Sequence, residues 1–133
     1  MNNVDLNFAI TIEDVPVNEI EELFKKKYSS LNISTSLPHK KVGRATTSEI
    51  LFAIVSGIPI NIASSFLYDL LKDLLKKKSG YFGRVPYGII ETKNDIRIEL
   101  PENIDDKAFM KYVKFCLKTD GIKRISVLEK STS

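Results

Sequence analysis

The chain has no tryptophan, one cysteine and one histidine in 133 residues. A single cysteine, Cys116, excludes an internal disulfide, so nothing points to an oxidising compartment. One Cys and one His do not make the clustered ligand set of a zinc-type site, and no metal or other cofactor is expected. His39 lies among Lys40, Lys41 and Arg44, and Cys116 falls on an apolar helical stripe, where a free thiol behaves as a small hydrophobe. A Cys-His nucleophile pair has no local signature here. No catalytic residue is expected, and the chain does not read as an enzyme.

Charge is also sparse in sign. The formal net charge is +3, mild for a nucleic-acid binder. The basic residues gather at Lys25–Lys27, at Lys40, Lys41 and Arg44, and at Lys76–Lys78. The first and third clusters fall where helices are expected to end, and cations there complement the helix dipole. Nucleic acid is therefore not the expected partner. Met1–Asp5 shows neither a basic n-region nor an apolar h-region, so no signal peptide is read there and a cytoplasmic protein is expected.

What the chain does have is enough apolar residues, 43%, to bury a core as one domain without staples. Val4–Glu13 alternates, with Leu6, Phe8, Ile10 and Ile12 on one face, as a half-buried strand does. Pro16 suits a helix start. Val17, Ile20, Leu23, Phe24 and Tyr28 follow at helical spacing, with glutamates early and lysines late. Leu31–Leu37 alternates again and predicts a second strand, stopped by Pro38.

From Ile50 to Tyr68 there is no charged residue, and the run continues into the Leu/Lys-rich Asp69–Lys78. Three-and-four spacing of its apolar positions predicts one long helix. A capping box at Thr46–Glu49 would start it, and Ser56, Gly57 and Pro59 would kink it. Those same residues, with Asn61, Ser64 and Ser65, break the run as a membrane span, so a buried helix is expected and no membrane. Asp69 and Asp73 read as solvated surface.

Ile89–Thr92 and Ile96–Leu100 predict a hairpin turning at Asn94 and Asp95, with Ile96, Ile98 and Leu100 inward. Asp105 can cap a third helix with a buried stripe of Phe109, Tyr112, Val113, Cys116 and Leu117, ended by Gly121. Ile122–Leu128 closes the order β-α-β-α-β-β-α-β. The expected fold is a single α+β domain over residues 1–133, with a mixed sheet of about five strands, and a ferredoxin-like core carrying a long inserted helix as one consistent topology.

The candidate site is the stretch from Gly80 to Gly88. Tyr81, Phe82, Arg84 and Tyr87 follow Lys76–Lys78 there. The stretch matches no phosphate-binding fingerprint. Aromatics with arginine favour protein contacts, can stack on nucleotides, or can close the end of a core.

The segment Ser48–Lys72, with its Gly57-containing apolar run ending in a Leu/Lys-rich turn, resembles a helix of the effector-associated constant components of bacterial conflict systems. The order of elements from Val4 to Leu117 is similar too, although the tryptophan common in that family's first helix is absent. The resemblance implies a non-catalytic adaptor of a defence system with an effector protein as partner. The surplus of apolar positions on the long segment points to a homodimer. The alternative is a small-ligand or nucleotide-binding protein that uses the Tyr81–Tyr87 stretch and nearby lysines.

Overall fold

Strand β1, Asn3–Glu13, runs through the middle of a six-stranded sheet in a computed structural model that describes residues 3–13, 15–37, 48–78, 84–100 and 105–131. Helix α1, Val17–Lys27, follows it, then β2, Ile33–Ser36, and β3, Ser48–Pro59. Helix α2, Ile60–Lys78, leads to β4, Arg84–Thr92, and β5, Arg97–Leu100. Helix α3, Asp106–Thr119, and β6, Ile122–Ser131, complete the domain. The class is α+β, with six strands instead of about five.

The strand order is β2-β3-β1-β6-β4-β5. Among the described residues, only β1 and β6 pair in parallel; the other four contacts are antiparallel. It follows that β1 and β2 point the same way with β3 between them, and β5 and β6 point the same way with β4 between them. Each half is a split β-α-β unit, through α1 and α3 respectively. The two halves join side by side at β1 and β6, and α2 carries the chain across. This replaces the ferredoxin-like core with an inserted helix.

The long predicted helix is half strand. Leu51, Ala53 and Val55 are buried, while Phe52, Ile54 and Ser56 are exposed, which is the two-residue alternation of β3. Because both faces of that strand carry apolar residues, period 2 and helical spacing both fit the sequence. The expected helix kink is a bulge. Val4 pairs with Ile58 and Leu6 with Val55, so β3 carries one extra residue there. Gly57 takes φ +64° and its N–H donates to Asp5 Oδ1 at 2.7 Å, the geometry of a glycine bulge. Ser48 and Glu49 belong to β3, which removes the capping box; Thr46 lies outside the described residues.

In-facing residues form rows across the sheet. Leu51, Ile10, Ile125, Ile90 and Ile98 stand in register, and Thr35, Ala53 and Phe8 make a second row. Helix α2 covers β1, β3, β4 and β6 and packs beside α3, while α1 packs on β3. Phe66 of α2 meets the rings of Phe8, Phe24 and Tyr28, with centroids 6.4, 6.3 and 5.0 Å away. Such edge and tilted contacts add to simple area burial. Leu70, Leu71 and Leu74 are buried, as their spacing predicts.

Two inward assignments fail. Ile96 is 55% exposed in the hairpin turn, and Tyr112 is 59% exposed on the outer flank of α3. Asp95 does adopt positive φ, 65°. The turn is tied to the α3–β6 junction: Asn94 N–H donates to Asp120 Oδ2 at 2.8 Å, Lys93 N–H donates to the Gly121 carbonyl at 3.1 Å, and Lys123 pairs with Asp95. Asp105 sits at the start of α3 without a side-chain cap bond. Asp73 is not solvated surface. It accepts the Tyr28 hydroxyl at 2.9 Å and pairs with Lys27 at 2.8 Å, joining α1 to α2.

Gly88 allows α2 to sit close. A Cβ there would lie 2.6 Å from Leu71 Cδ1. Gly88→Ala is expected to cost about 1–3 kcal/mol by overpacking, and Leu71→Ala about 2–5 kcal/mol by leaving a cavity. In a denaturant-unfolding double-mutant cycle the two should be strongly non-additive, because truncating Leu71 removes what the new methyl meets. Simple additivity would reject the close approach.

Burial first, then the Asp73 hydrogen bond and charge, push the Tyr28 phenol well above its ordinary value of 10.0. The neutral phenol is thus favoured in the folded state. Its contribution is whole below pH 10 and drains away as pH rises further, because the unfolded chain then loses a proton that the fold retains. Alkaline unfolding should therefore steepen above pH 10 in the native sequence more than in Tyr28→Phe, which itself costs about 1 kcal/mol at neutral pH. Equal alkaline profiles would reject the role of this group.

Candidate functional site: the open face of the sheet

The three helices of the described residues draw on one core, so among those residues no helix lies on the opposite face of the sheet. The register orders what that face carries. One row runs Ser36, Phe52, Ala9, Arg124, Glu91 and Arg97 from β2 to β5. A second runs Thr11, Ser126, Ile89 and Glu99. Tyr87 stands opposite Leu128, and Ile54 between Ser34 and Asn7. The face is therefore apolar over β3 and charged over β6, β4 and β5, where Glu91 lies between two arginines.

Phe52 is 38% exposed and Ile54 43%. Single exposed hydrophobics are ordinary, but two on consecutive outward positions of one strand form a patch. Ala9, Ile89 and Ser126 at the centre of the face are buried among their neighbours. Over the charged half, Tyr87, Ile89, Arg97 and Glu99 line a shallow depression of about 250 Å³. Its composition, one ring, one aliphatic floor, one cation and one carboxylate, suits a polar ligand edge or a partner side chain.

The predicted site is only partly placed here. Arg84 opens β4, with its backbone opposite Ser131, and Tyr87 is a strand residue of the open face. The stretch from 84 to 88 is therefore strand and not loop. Tyr81 and Phe82 lie outside the described residues, as do His39, Lys40, Lys41 and Arg44. Ile89, Arg97, Glu99, Phe52 and Ile54 were not candidates from sequence. The signal for the first three was present as alternation through 85–91 and 97–99, but it becomes a surface only once the strand order is known.

Behind β4, the end of α2 is fixed by a buried ion pair. Lys78 Nζ lies 2.5 Å from Glu129 Oε1, with side chains 2% and 8% exposed. Lys78 thus enters the interior, unlike the solvated helix-end lysine its sequence position suggests. Glu129 stands opposite Pro86, so the pair anchors α2 to the strand pair that carries Tyr87. Cys116 is buried in the core, and burial followed by the charge of Asp120 raises its thiol pKa, which keeps it a poor nucleophile. Among the described residues, no group of three His, Cys, Asp or Glu side chains is placed to hold a metal ion. No helix among them is long and apolar enough to cross a membrane. Compared with protein-family models, with curated proteins and with solved structures, the chain matches none.

Glu129→Ala should cost about 3–5 kcal/mol, because it strips a carboxylate from a lysine ammonium in the interior. Thermal unfolding measures this, and a loss within about 0.5 kcal/mol, the range of surface changes, would show that the pair is incidental.

Proposed function

We propose that the chain is a non-enzymatic adaptor or protein-interaction module, and that its partner docks on the open face of the sheet. The observation that carries this reading is the pairing of Phe52 and Ile54 outward on β3, with the charged half of the same face beginning across β1 at Arg124. An aromatic and aliphatic patch bordered by charge has the anatomy of a protein interface. The resemblance of Ser48–Lys72 to effector-associated constant components supports a bacterial defence setting with an effector as partner, although half of that segment is strand here. A cytoplasmic setting fits the single, buried thiol.

A second copy of the chain is the simplest occupant of the face. Two open sheets packed across their apolar halves would form a sandwich. Ile54→Lys should convert a dimer to a monomer in light scattering at micromolar concentration, and the monomer should still unfold in one cooperative thermal transition at a lower temperature than the dimer. A native chain that is strictly monomeric would remove the homodimer and leave the face to another protein.

A second reading has its own observation. Arg97 and Tyr87 in the depression supply a cation and a ring, which suit a nucleotide or other small anion. In this reading, which keeps Tyr87 from the Tyr81–Tyr87 stretch, the ligand adds to the open face from the β4–β5 side.

A further inference from the structure

We propose that the outer ridge of α3 is a second docking surface, built for an acidic protein surface. Lys107, Lys111, Lys114 and Lys118 recur at intervals of four, three and four residues. They lie opposite the buried Phe109, Val113 and Cys116, and so form a straight ridge pointing away from the sheet. Positions 107–119 contain no Asp or Glu. On one flank of the ridge stand Tyr112, 59% exposed, and Phe115, 62% exposed, with the exposed Ala108 on the same side.

Four lysines of the other two helices have partners. Lys26 has Glu22 within 4.0 Å on α1, Lys27 has Asp73, and Lys78 has Glu129. Lys72 lies over the Tyr68 ring. Among the described residues, no carboxylate pairs with the four lysines of α3. Like charges at such spacing weaken a helix, and two exposed aromatic rings add unfavourable hydration. A partner that supplies carboxylates along the ridge and an apolar contact at its flank relieves both.

The arrangement selects among anionic partners. A bilayer-binding helix places its apolar residues at the centre of the outward face, with lysines to either side. Here the lysines hold the centre, and the aromatics are displaced to one flank. A single-stranded nucleic acid is held in a groove lined by stacking rings and arginine, whereas α3 is a convex ridge with no arginine. Aromatic anchors bordered by a charged rim that steers encounter are the features of a protein contact. The ridge uses none of the residues of the open sheet face, so either surface can fail without the other.

The test uses the full chain and a fluorescent synthetic peptide of alternating Glu and Phe, followed by anisotropy. The peptide should bind, and added salt should weaken it. Lys111→Gln with Lys114→Gln should weaken binding about tenfold and flatten the salt dependence, and Tyr112→Ala with Phe115→Ala should weaken it about tenfold without changing that dependence. Ile54→Lys on the sheet face should leave peptide binding unchanged. Thermal unfolding of each variant confirms that the fold is intact. No binding, binding indifferent to both α3 variants, or tighter binding to a single-stranded DNA oligonucleotide or to phosphatidylserine vesicles than to the peptide would overturn the proposal.

Discussion

The three helices bury against the same face of the sheet, and this one-sided burial governs what each strand can carry. Strands β3, β1, β6 and β4 must present a largely apolar row inward, because α2 crosses them in turn. The tightest point is Gly88, where the absence of a side chain lets Leu71 reach the backbone of β4. With the helices drawn close on one side, the outward positions are released from packing. They can hold Phe52, Arg124, Glu91 and Arg97 in one row, with Ile54 two residues along β3 from Phe52.

Elements with one clean period were legible from sequence. Strand β1, helix α1, helix α3 and β6 each keep one dominant apolar face, and their patterns say so, as does the hairpin from 89 to 100, although β4 begins earlier, at Arg84. Residues 48–59 were not legible, because Phe52 and Ile54 make the outward face of β3 as apolar as the inward one. Removing the polar half of an alternation leaves a run that fits either period. Gly57 and Pro59 then read as helix breakers, when they are a bulge and a strand end. The same feature that hid the strand is the one that marks its surface. Tyr112 was misplaced for a related reason: it lies at the boundary of the helical stripe, where spacing alone does not separate a core ring from an exposed one.

The candidate site was less legible than the fold. Tyr87 was found because it is aromatic and near Arg84, but its setting depends on β5 and β6, which lie far off in sequence. Cross-strand rows come from strand order, and no local pattern states that order. The buried polar contacts were hidden for the same reason. Asp73 gathers Tyr28 and Lys27 from α1, and Lys78 meets Glu129 from β6, with partners tens of residues away in the chain.

These contacts also explain why charge on the helix layer is informative. A lysine on a helix is ordinarily a solvated group, and a count of lysines decides nothing. Here Lys27 of α1 and Lys78 at the end of α2 meet carboxylates that approach from other elements. Helix α3 has acidic residues at its two ends and none between, so its body keeps a positive ridge. That ridge lies on the helix layer, and the Phe52–Ile54 patch lies on the reverse of the sheet. One-sided packing therefore leaves two chemically different surfaces back to back, separated by the core. An adaptor needs this separation, because two partners can be held at once only if neither covers the residues that the other uses.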